Sequence, residues 1–528
     1  MRLQAQDFTC PTCTKTVHLQ TQIPIDNKFT NVYSCGHIEI KDKLILTEVN
    51  GNSSGAAVPS QDKHIPPEYY SLDKTKKAHE FQLEGINFIK NTNYNALLAD
   101  AMGLGKTIQA LLAIKSDPTK FPVLIVVKSA IIYQWAGEYA TWVSNLPLRV
   151  MPILTRANII PGFDAYLISR DLIGRKGIVE LLIKLNIVTV VIDECHAFKD
   201  SSSARTKALI TFLFNARIQY KIALSGTPIK NRADEYFTIL NLLDPVNFRS
   251  LERFRRNWLS QNEKGQYTRV NQYRLDEFRK LTSKYILRRE KHEVLKDLPP
   301  LTRDYQIIEI EDPDIKQSYN RAVSLFENFM LNEAKITSTE ILGWLAKLRA
   351  LTGQAKCQAA IDWAQEFLDS SEESLSIGIQ HTAVRDTLYH IFNAAGYEPL
   401  KFSGEDSPWR KQTVLNKFNA GENRLLVINM IAGGEGINLQ SCANTLILER
   451  QWNSADEEQF EGRFHRQGQK HAVTATYLIA KGTIDEFFHN MVERKRKILG
   501  ETLSGWSLTG DENSLKELSN EIINNKLK

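Results

Sequence analysis

Two successive series of short apolar runs constrain the fold of this chain more than any other feature. The runs are four to six residues long, and amphipathic helical patterns separate them. Short apolar runs suit parallel strands that are buried on both faces, and their alternation with helices suits βαβ units. The sequence therefore predicts an α/β protein with two tandem sheets, each covered by helices on both faces. The predicted strands are Asn95–Leu98, Val123–Val127, Ala165–Ser169, Ile187–Ile192 and Ile222–Ser225 in the first series, and Leu375–Ile379, Leu425–Asn429, Thr445–Glu449 and Thr474–Ile479 in the second.

The segments around these two series predict further domains. Residues 246–350 are charged and irregular and favour a mainly helical insertion between the two lobes. A polar, Gly- and Ser-containing stretch near Gly51–Lys63 is typical of a linker. The predicted boundaries are 1–48 for an N-terminal module, 49–74 for a linker, 75–245 for the first lobe, 246–300 for a helical insertion and inter-lobe linker, 301–498 for the second lobe with a helical protrusion, and 499–528 for a helical tail.

Charge and composition narrow the class of protein. The formal net charge is +5, but residues 251–300 hold 13 Lys/Arg against 7 Asp/Glu. This local excess suits either a solvated helical face or a surface that faces DNA. The apolar runs are too short to span a bilayer and Met1–Cys10 lacks the apolar core of a signal peptide, so we expect a cytoplasmic protein, or a nuclear one in a eukaryote. Six cysteines in 528 residues do not make a disulfide framework.

A phosphate-binding loop is predicted after the first strand. The segment Asp100-Ala-Met-Gly103-Leu-Gly105-Lys106-Thr107 leads into an apolar helical pattern. Glycines let backbone N–H groups turn toward phosphates, the lysine meets the β- and γ-phosphates, and the threonine hydroxyl holds Mg²⁺. The strict pattern has glycine where Asp100 stands, so the motif alone is imperfect. ATP and Mg²⁺ are the predicted ligands.

A pair of carboxylates supports this prediction. Ile187–Ile192 delivers Asp193 and Glu194 to its carboxyl end, where ligands bind in open α/β sheets. Asp193 is expected to hold magnesium through water, and Glu194 to orient and deprotonate the attacking water.

Several motifs resemble the Swi/Snf-type ATPases of helicase superfamily two. They are Ala223-Leu-Ser-Gly-Thr-Pro-Ile-Lys-Asn231, Leu287-Arg-Arg-Glu-Lys-His-Glu-Val294 with Leu298-Pro-Pro300, Ala432-Gly-Gly-Glu-Gly-Ile-Asn-Leu439, Trp452-Asn453 and Gln459-Phe-Glu-Gly-Arg-Phe-His-Arg-Gln-Gly-Gln469. The resemblance extends from about Ala78 to Ile498. It implies two RecA-like lobes and a motor that translocates along DNA.

The resemblance also assigns roles to residues at the nucleotide. Gln82 is expected to read the adenine edge, and Gly436 to lie at the nucleotide. Arg463 and Arg466 would be arginine fingers that stabilise charge on the transferring phosphoryl group. The two arginines could instead simply pair with Glu457 or Glu461.

The DNA contacts implied by the resemblance fall on loops of both lobes. Hydroxyls, amides and backbone N–H groups there would hold phosphates without reading sequence. Trp452 could instead belong to the core. The residues are Ser129, Trp135, Ser169, Arg170, Gln380, His381, Gly433, Gly434 and Trp452. The sequence departs from the family pattern at Ala101, Lys128 and Asn429-Met430, which puts details of the DNA contact in question.

The function implied is a DNA-stimulated ATPase that translocates on double-stranded DNA. Forks, branched DNA or protein–DNA complexes would be its targets, with a DNA-bound protein as a further partner and a monomer as the working form. Two alternatives stay open. One is an RNA-directed helicase of the same superfamily, and the other is a scaffold without ATPase activity that binds DNA or protein.

The N-terminal module has the ligand spacing of a zinc site. Cys10 and Cys13 form one pair, and Cys35 and His37 form a second pair. Three thiolates and one imidazole suit tetrahedral Zn²⁺, with His18 as a competing fourth ligand.

We predict that the purified protein binds one zinc ion per chain, because thiolate and imidazole ligands suit zinc better than harder metals. Elemental analysis checks this, with the double variant Cys10→Ser/Cys13→Ser as the comparison. A metal content that the double substitution leaves unchanged would contradict the zinc site.

Overall fold

The computed structural model describes residues 76–143, 149–226, 235–261, 267–332, 338–433, 437–452 and 454–505, together with four N-terminal strands. The chain forms two compact units. The first comprises Met1–Pro228, Tyr236–Ser250 and Arg279–Glu290, and the second comprises Ile229–Glu235, Leu251–Phe278 and Lys291–Lys528.

The strands and helices are numbered in chain order. The strands are β1 Asp7–Thr9, β2 Thr16–Ile25, β3 Lys28–Tyr33, β4 Ile38–Asp42, β5 Asn95–Leu98, β6 Val123–Val127, β7 Val150–Ile153, β8 Ala165–Ser169, β9 Thr189–Ile192, β10 Tyr220–Leu224, β11 Leu259–Gln261, β12 Tyr267–Val270, β13 Ile286–Leu287, β14 Leu301–Ile308, β15 Leu375–Ile379, β16 Leu400–Phe402, β17 Leu425–Asn429, β18 Asn444–Ile447 and β19 Val473–Ala480. The helices are α1 Glu80–Asn91, α2 Lys106–Lys115, α3 Ile132–Trp142, α4 Arg170–Ile173, α5 Ile178–Ile183, α6 Ala204–Asn215, α7 Glu235–Leu243, α8 Leu251–Trp258, α9 Leu275–Thr282, α10 Lys291–Val294, α11 Pro313–Asn332, α12 Ser338–Ala355, α13 Cys357–Ser370, α14 Thr382–Ala394, α15 Pro408–Asn419, α16 Met430–Gly433, α17 Ser454–Glu461 and α18 Ile484–Gly505.

The first unit is built on a seven-stranded sheet with the order β13-β5-β10-β9-β6-β8-β7, in which every pair is parallel. β6 shows why the strands are apolar throughout. Val123, Ile125 and Val127 belong to the core on one face of the sheet, while Leu124 and Val126 belong to the core on the other. Both faces are therefore buried, as the sequence predicted.

The second unit repeats this architecture with a six-stranded parallel sheet in the order β14-β19-β18-β15-β17-β16. Leu425 and Val427 pack in one core, and Leu426 and Ile428 pack in the opposite one. Helices α11, α12 and α18 share a separate apolar cluster, in which Phe326 and Leu345 are fully buried. The two predicted α/β lobes are thus confirmed as two parallel sheets.

The region 246–350 contains more strand than predicted. It is helical in α8, α9, α11 and α12, but β13 adds a strand to the first sheet and β14 adds one to the second. β7 and β16 are two further strands that the apolar runs did not predict. The expectation of a helical and irregular insertion was therefore wrong for β13 and β14.

The four N-terminal strands form an antiparallel sheet with the order β1-β2-β3-β4. Cys10, Cys13, Cys35 and His37 lie outside the described residues, so the zinc site stays a prediction. Within the described part of the chain there is no group of three or more His, Cys, Asp or Glu side chains that could hold a metal ion. No helix in that part is long and apolar enough to cross a membrane.

A buried lysine links α13 to the second sheet. Lys356 precedes α13, is 0% exposed, and its ammonium lies 2.5 Å from the Asp485 carboxylate. The ammonium also donates to the backbone carbonyls of Leu448 and of Leu478, the latter at 3.1 Å. Every one of these partners is itself buried or part of the sheet, so the ammonium has exchanged water for protein oxygens.

We expect Lys356→Met to destabilise the protein by about 3–5 kcal/mol, because the substitution leaves the Asp485 carboxylate buried without its partner. Chemical denaturation of both proteins measures the change. The control is Lys481→Met, which breaks the exposed pair with Glu309 and is expected to leave the free energy of unfolding unchanged. Equal stability of Lys356→Met and the control would show that the buried pair contributes nothing.

Candidate nucleotide site and nucleic-acid loops

The phosphate loop connects β5 to α2 as the motif predicted. Gly103 and Gly105 have φ angles of +88° and +71°, in the left-handed region that favours glycine. A Cβ atom on Gly105 would collide with the side-chain amide of Gln82. The loop therefore needs glycine at Gly105 both for its backbone conformation and for its packing.

Lys106 begins α2 and its ammonium points back over the loop. Nζ donates to the carbonyl of Asp100 at 2.7 Å and to that of Ala101 at 3.2 Å. Burial lowers the pKa of Lys106, although the carboxylates of Glu194, Asp100 and Asp193 oppose this shift. The ammonium is thus placed at the head of the loop, in an environment that favours a compensating negative charge.

The predicted carboxylates follow β9, which is a near neighbour of β5 in the sheet. Asp193 accepts a hydrogen bond at 2.9 Å from the indole N–H of Trp135 and one at 3.0 Å from the backbone N–H of Glu194. Burial and the neighbouring Glu194 raise the pKa of Asp193 to about 7. A cation bound at this carboxylate would favour its charged form.

Glu194 has a left-handed backbone with a φ of +46°. Its Oε2 accepts a hydrogen bond from the Ser225 hydroxyl at 3.3 Å and lies 3.2 Å from Nδ1 of His196. Ser225 Oγ lies 3.0 Å from the same imidazole nitrogen. Two side chains, one from each of two strand ends, therefore hold the carboxylate that is expected to act on water.

Gly226 explains how the end of β10 meets the phosphate loop. A Cβ on Gly226 would lie 2.6 Å from Met102 Cγ and 3.5 Å from Lys106 Nζ. Only glycine lets the chain after Ser225 pass this close to the loop. The carboxyl ends of β5, β10 and β9, which are adjacent in the sheet, thus form one site.

Gln82 is buried beside this site. Its Nε2 donates to the Leu104 carbonyl at 3.3 Å, and its Oε1 accepts from the His79 backbone N–H at 3.0 Å. The side chain is 2% exposed. The structure therefore places Gln82 against the phosphate loop and at the start of α1, and its predicted contact with adenine stays a prediction.

The residues present suit ATP with magnesium. Lys106 and the turned amides of the loop offer positive charge to phosphates, and Thr107 and Asp193 offer the oxygen ligands that Mg²⁺ prefers. When bound, magnesium neutralises charge on the phosphates. These residues all belong to the first unit, and the structure brings them to one edge of one sheet.

Arg463 and Arg466 lie in a turn after α17 of the second unit. Two buried carboxylates fix that helix, because Glu457 binds Arg450 and Arg496 while Glu461 binds Arg303. Arg303 meets Glu461 at 2.7 and 2.6 Å. The role of Arg463 and Arg466 as arginine fingers stays a prediction, as does the alternative that they pair with Glu457 or Glu461.

Two residues between α9 and β14 contact the same turn. His465 Nε2 lies 2.7 Å from the Pro299 carbonyl, and the Lys291 ammonium donates to the His465 carbonyl. Burial, followed by the charge of Lys291, lowers the pKa of His465. Phe464, which lies between the two arginines in the sequence, is fully buried. The turn is therefore anchored by its core residue and by the linker.

The predicted DNA contacts of the first unit lie at the carboxyl ends of β6 and β8. Ser129 is exposed just after β6. Ser169 is 8% exposed, and its hydroxyl caps α4 by accepting from the Leu172 N–H at 3.1 Å. Arg170 is the first residue of that helix and is partly exposed. Because the Ser169 hydroxyl already acts as a helix cap, Ser129 and Arg170 are the more accessible candidates.

Trp135 has a different position from the one expected. It is 3% exposed within α3, and its indole N–H is bonded to Asp193. A ring buried in this way cannot present itself to a duplex. Trp135 therefore supports the carboxylate site, and the DNA contact expected for it does not fit the structure.

In the second unit a buried carboxylate organises the loop after β15. Glu449 is 3% exposed and accepts from the backbone N–H groups of Gln380 at 2.8 Å and His381 at 2.9 Å. The His381 imidazole also contacts this carboxylate. Burial alone would raise the pKa of Glu449, but these hydrogen bonds and His381 outweigh it and hold the pKa below its usual value.

Trp452 is partly buried, and its ring packs edge-on against Phe488 with centroids 4.5 Å apart. The Arg349 guanidinium lies over both rings. This favours the alternative that Trp452 belongs largely to the core. Gly433 ends α16, while Gly434 and Gly436 lie outside the described residues.

Four residues that build the nucleotide site had no predicted role there. These are Ser225, His196, Gln109 and Arg289, whose contacts with one another, with Glu194 and with Asp100 join segments 29 to 189 residues apart in the chain. The one sequence signal was Asp100, a carboxylate at a position where the strict loop pattern has glycine.

The fold and this site define the class of protein, an ATP-hydrolysing enzyme of the helicase type. A model of the SNF2-related domain matches residues 81–357, more than half of the chain, and a model of the helicase conserved C-terminal domain matches residues 361–468. The chain belongs to the SNF2-related family.

The curated relatives agree with this assignment. DNA annealing helicase and endonuclease ZRANB3 of Mus musculus is 26% identical over 436 residues, which cover 80% of this chain and 40% of that protein. The SWI/SNF-related matrix-associated actin-dependent regulator of chromatin subfamily A-like protein 1 of Xenopus laevis is 29% identical over 425 residues, covering 80% of this chain and 43% of that protein. The chain thus spans about two fifths of the length of these relatives.

A solved SWI2/SNF2 ATPase core of Sulfolobus solfataricus in complex with double-stranded DNA aligns with 86% of this chain and 98% of that one. The identity is 23% and the TM-score is 0.39.

We expect Lys106→Ala and Glu194→Gln to abolish ATP hydrolysis for different reasons. The first removes the charge that meets the phosphates, and the second removes the carboxylate that acts on water. Glu194→Gln should still bind ATP, whereas Lys106→Ala should bind it poorly. Phosphate release and nucleotide titration measure the two effects, and hydrolysis near the wild-type rate in both variants would rule out this active site.

Proposed function

We propose that this chain is a DNA-stimulated ATPase that translocates on double-stranded DNA and remodels forks, branched DNA or protein–DNA complexes. The observation that carries the proposal is the meeting of Lys106, which follows β5, with Asp193 and Glu194, which follow β9, in a chain of the SNF2-related family; β10 lies between these two strands in the sheet. The mouse relative is named a DNA annealing helicase, which supports DNA as the partner.

In the proposed reaction each residue of the first unit has one task. Lys106 balances the charge of the β- and γ-phosphates, and Thr107 and Asp193 hold the magnesium ion. Glu194 accepts a proton from the attacking water. The contacts of Ser225 and His196 with the Glu194 carboxylate limit its rotation, which keeps the base in one orientation.

Arg463 and Arg466 would supply positive charge to the transferring phosphoryl group from the second unit. Guanidinium groups suit this task because they stay charged and bind oxygens at two points. The ion pairs that Arg450, Arg496 and Arg303 form with carboxylates of α17 support this role. They hold the helix in place, and the position of the helix determines that of the turn that follows it.

The proposed DNA contacts lie on Ser129, Ser169, Arg170, Gln380, His381, Gly433, Gly434 and, in part, Trp452. Backbone amides and small polar side chains dominate this set, and such groups bind phosphates without reading base sequence. A motor that moves along a duplex requires contacts of this kind, because each step presents a new sequence. We propose that the working form is a monomer on duplex or branched DNA.

The proposal is tested by ATP turnover with blunt duplex, a forked duplex, single-stranded DNA and RNA, together with displacement of a triplex-forming strand. We expect duplex or forked DNA to stimulate turnover and the third strand to be displaced. Strongest stimulation by RNA would favour the RNA-directed helicase instead. No turnover with any nucleic acid would favour the scaffold without ATPase activity.

We predict that Arg466→Ala keeps its affinity for duplex DNA but loses DNA-stimulated turnover by roughly a thousandfold, as expected for an arginine finger. The control Arg410→Ala removes a side chain that is 58% exposed and pairs with Asp406, and it should retain both activities. If Arg466→Ala loses DNA binding as severely as turnover, this residue belongs to a DNA-contacting surface.

A further inference from the structure

A buried arginine binds the start of the phosphate loop. Arg289 is 8% exposed and Asp100 is 0% exposed. Arg289 Nε donates to Asp100 Oδ1 at 3.1 Å and Nη2 donates to Oδ2 at 2.6 Å. A two-point contact between a guanidinium and a carboxylate fixes the orientation of both groups. The carboxylate that departs from the strict loop pattern therefore has a dedicated partner.

The main chain on either side of Arg289 strengthens this contact. β13 pairs in parallel with β5. Beyond that pairing, the Ala99 N–H donates to the Leu287 carbonyl at 2.7 Å, and the Ala101 N–H donates to the Arg289 carbonyl at 2.9 Å. Asp100 is thus held by its side chain and, through both neighbours, by its backbone.

Gln109 extends the contact to the far end of the loop. Arg289 Nη2 donates to Gln109 Oε1 at 3.0 Å, and Gln109 Nε2 donates to the Leu104 carbonyl at 3.1 Å. A Cβ on Gly85 would collide with the Gln109 side chain and lie 3.0 Å from Arg289 Nη2. Helix α1 therefore leaves space for this pair of side chains, which together reach both ends of the loop.

We propose that Arg289 is a positioning residue that sets the place of Lys106 through Asp100. The Lys106 ammonium donates to the carbonyls of Asp100 and Ala101, so a shift of this segment moves the ammonium as well. Removal of Arg289 leaves the Asp100 carboxylate buried without its main charge partner, and the loop has to rearrange to give it another. The inference rests on the proposed ATP hydrolysis.

Arg289 also lies close to the boundary between the two units. The first unit ends at Glu290, one residue after Arg289. The segment before this boundary is attached to the phosphate loop by the Arg289 side chain and the Ala101–Arg289 backbone hydrogen bond, and to β5 by its strand pairing and the contact of Arg288 with the Ala99 carbonyl.

The test compares wild type, Arg289→Met and Arg289→Lys in nucleotide titration and steady-state turnover. We expect Arg289→Met to lose about 100-fold in kcat/KM, the loss typical of a slightly misplaced reactive group. Arg289→Lys keeps the charge but loses the two-point contact, and it should recover part of this loss. Hydrogen exchange should increase in residues 99–109 and stay unchanged in β15.

The double variant Arg289→Met/Asp100→Asn separates positioning from stability. It removes both charges, so we expect thermal stability to recover toward wild type while kcat/KM stays low. Recovery of both quantities would overturn the proposal and leave Arg289 a structural role only. The matched control is Glu84→Gln, because Glu84 also pairs with Arg289, at 3.2 Å, but is 71% exposed and should change neither quantity.

Two outcomes distinguish this inference from the proposed function. A wild-type protein that neither binds nor hydrolyses ATP contradicts the proposed function itself. A wild-type protein that hydrolyses ATP, with Arg289→Met and Arg289→Lys matching its affinity and turnover, contradicts only the role of Arg289. Should Arg289→Met fail to fold, the Arg289→Lys and double variants decide between these outcomes.

Discussion

A parallel strand that is buried on both faces is mostly apolar, so polar side chains that act on a ligand collect beyond its end, and both units depend on this constraint. In the first unit β5, β10 and β9 lie side by side, so Lys106, Ser225 and Glu194 meet although they are distant in sequence. In the second unit β18, β15 and β17 lie side by side, and the Glu449 carboxylate binds the loop that follows β15. The apolar strands thus determine where the polar chemistry can be.

Uninterrupted apolar runs located most of the buried strands. Val123–Val127 and Leu375–Ile379 were predicted with the observed bounds, because an uninterrupted apolar run has few other uses in a protein of this kind. β14 was missed because it is the edge strand of its sheet and carries Arg303, Asp304 and other half-exposed residues, so its pattern looked irregular and charged. β7 contains Pro152, which is tolerated at a sheet edge but weakens a strand prediction.

The side chains were predicted less well than the strands, because their roles depend on partners that sequence does not bring together. The DNA contact predicted for Trp135 does not fit its burial or its hydrogen bond to Asp193, which lies 58 residues away in the chain. Arg289 meets Asp100 across 189 residues. Asp100 was the visible anomaly, and its explanation lay in a segment that looked like a simple linker.

The hydrogen bonds of Lys106 have a consequence for nucleotide selectivity. Its ammonium is bound to two carbonyl oxygens of its own loop, so these carbonyls occupy two of the three directions in which the ammonium donates. A phosphate that binds more than one of these N–H groups has to replace a contact that already exists, and the net gain from that exchange is the difference between the two. A weakly charged or neutral ligand gains little from such an exchange, whereas a polyphosphate gains much more. The carbonyl groups of the loop thus compete with the ligand for the Lys106 ammonium, and this competition favours ligands of high negative charge.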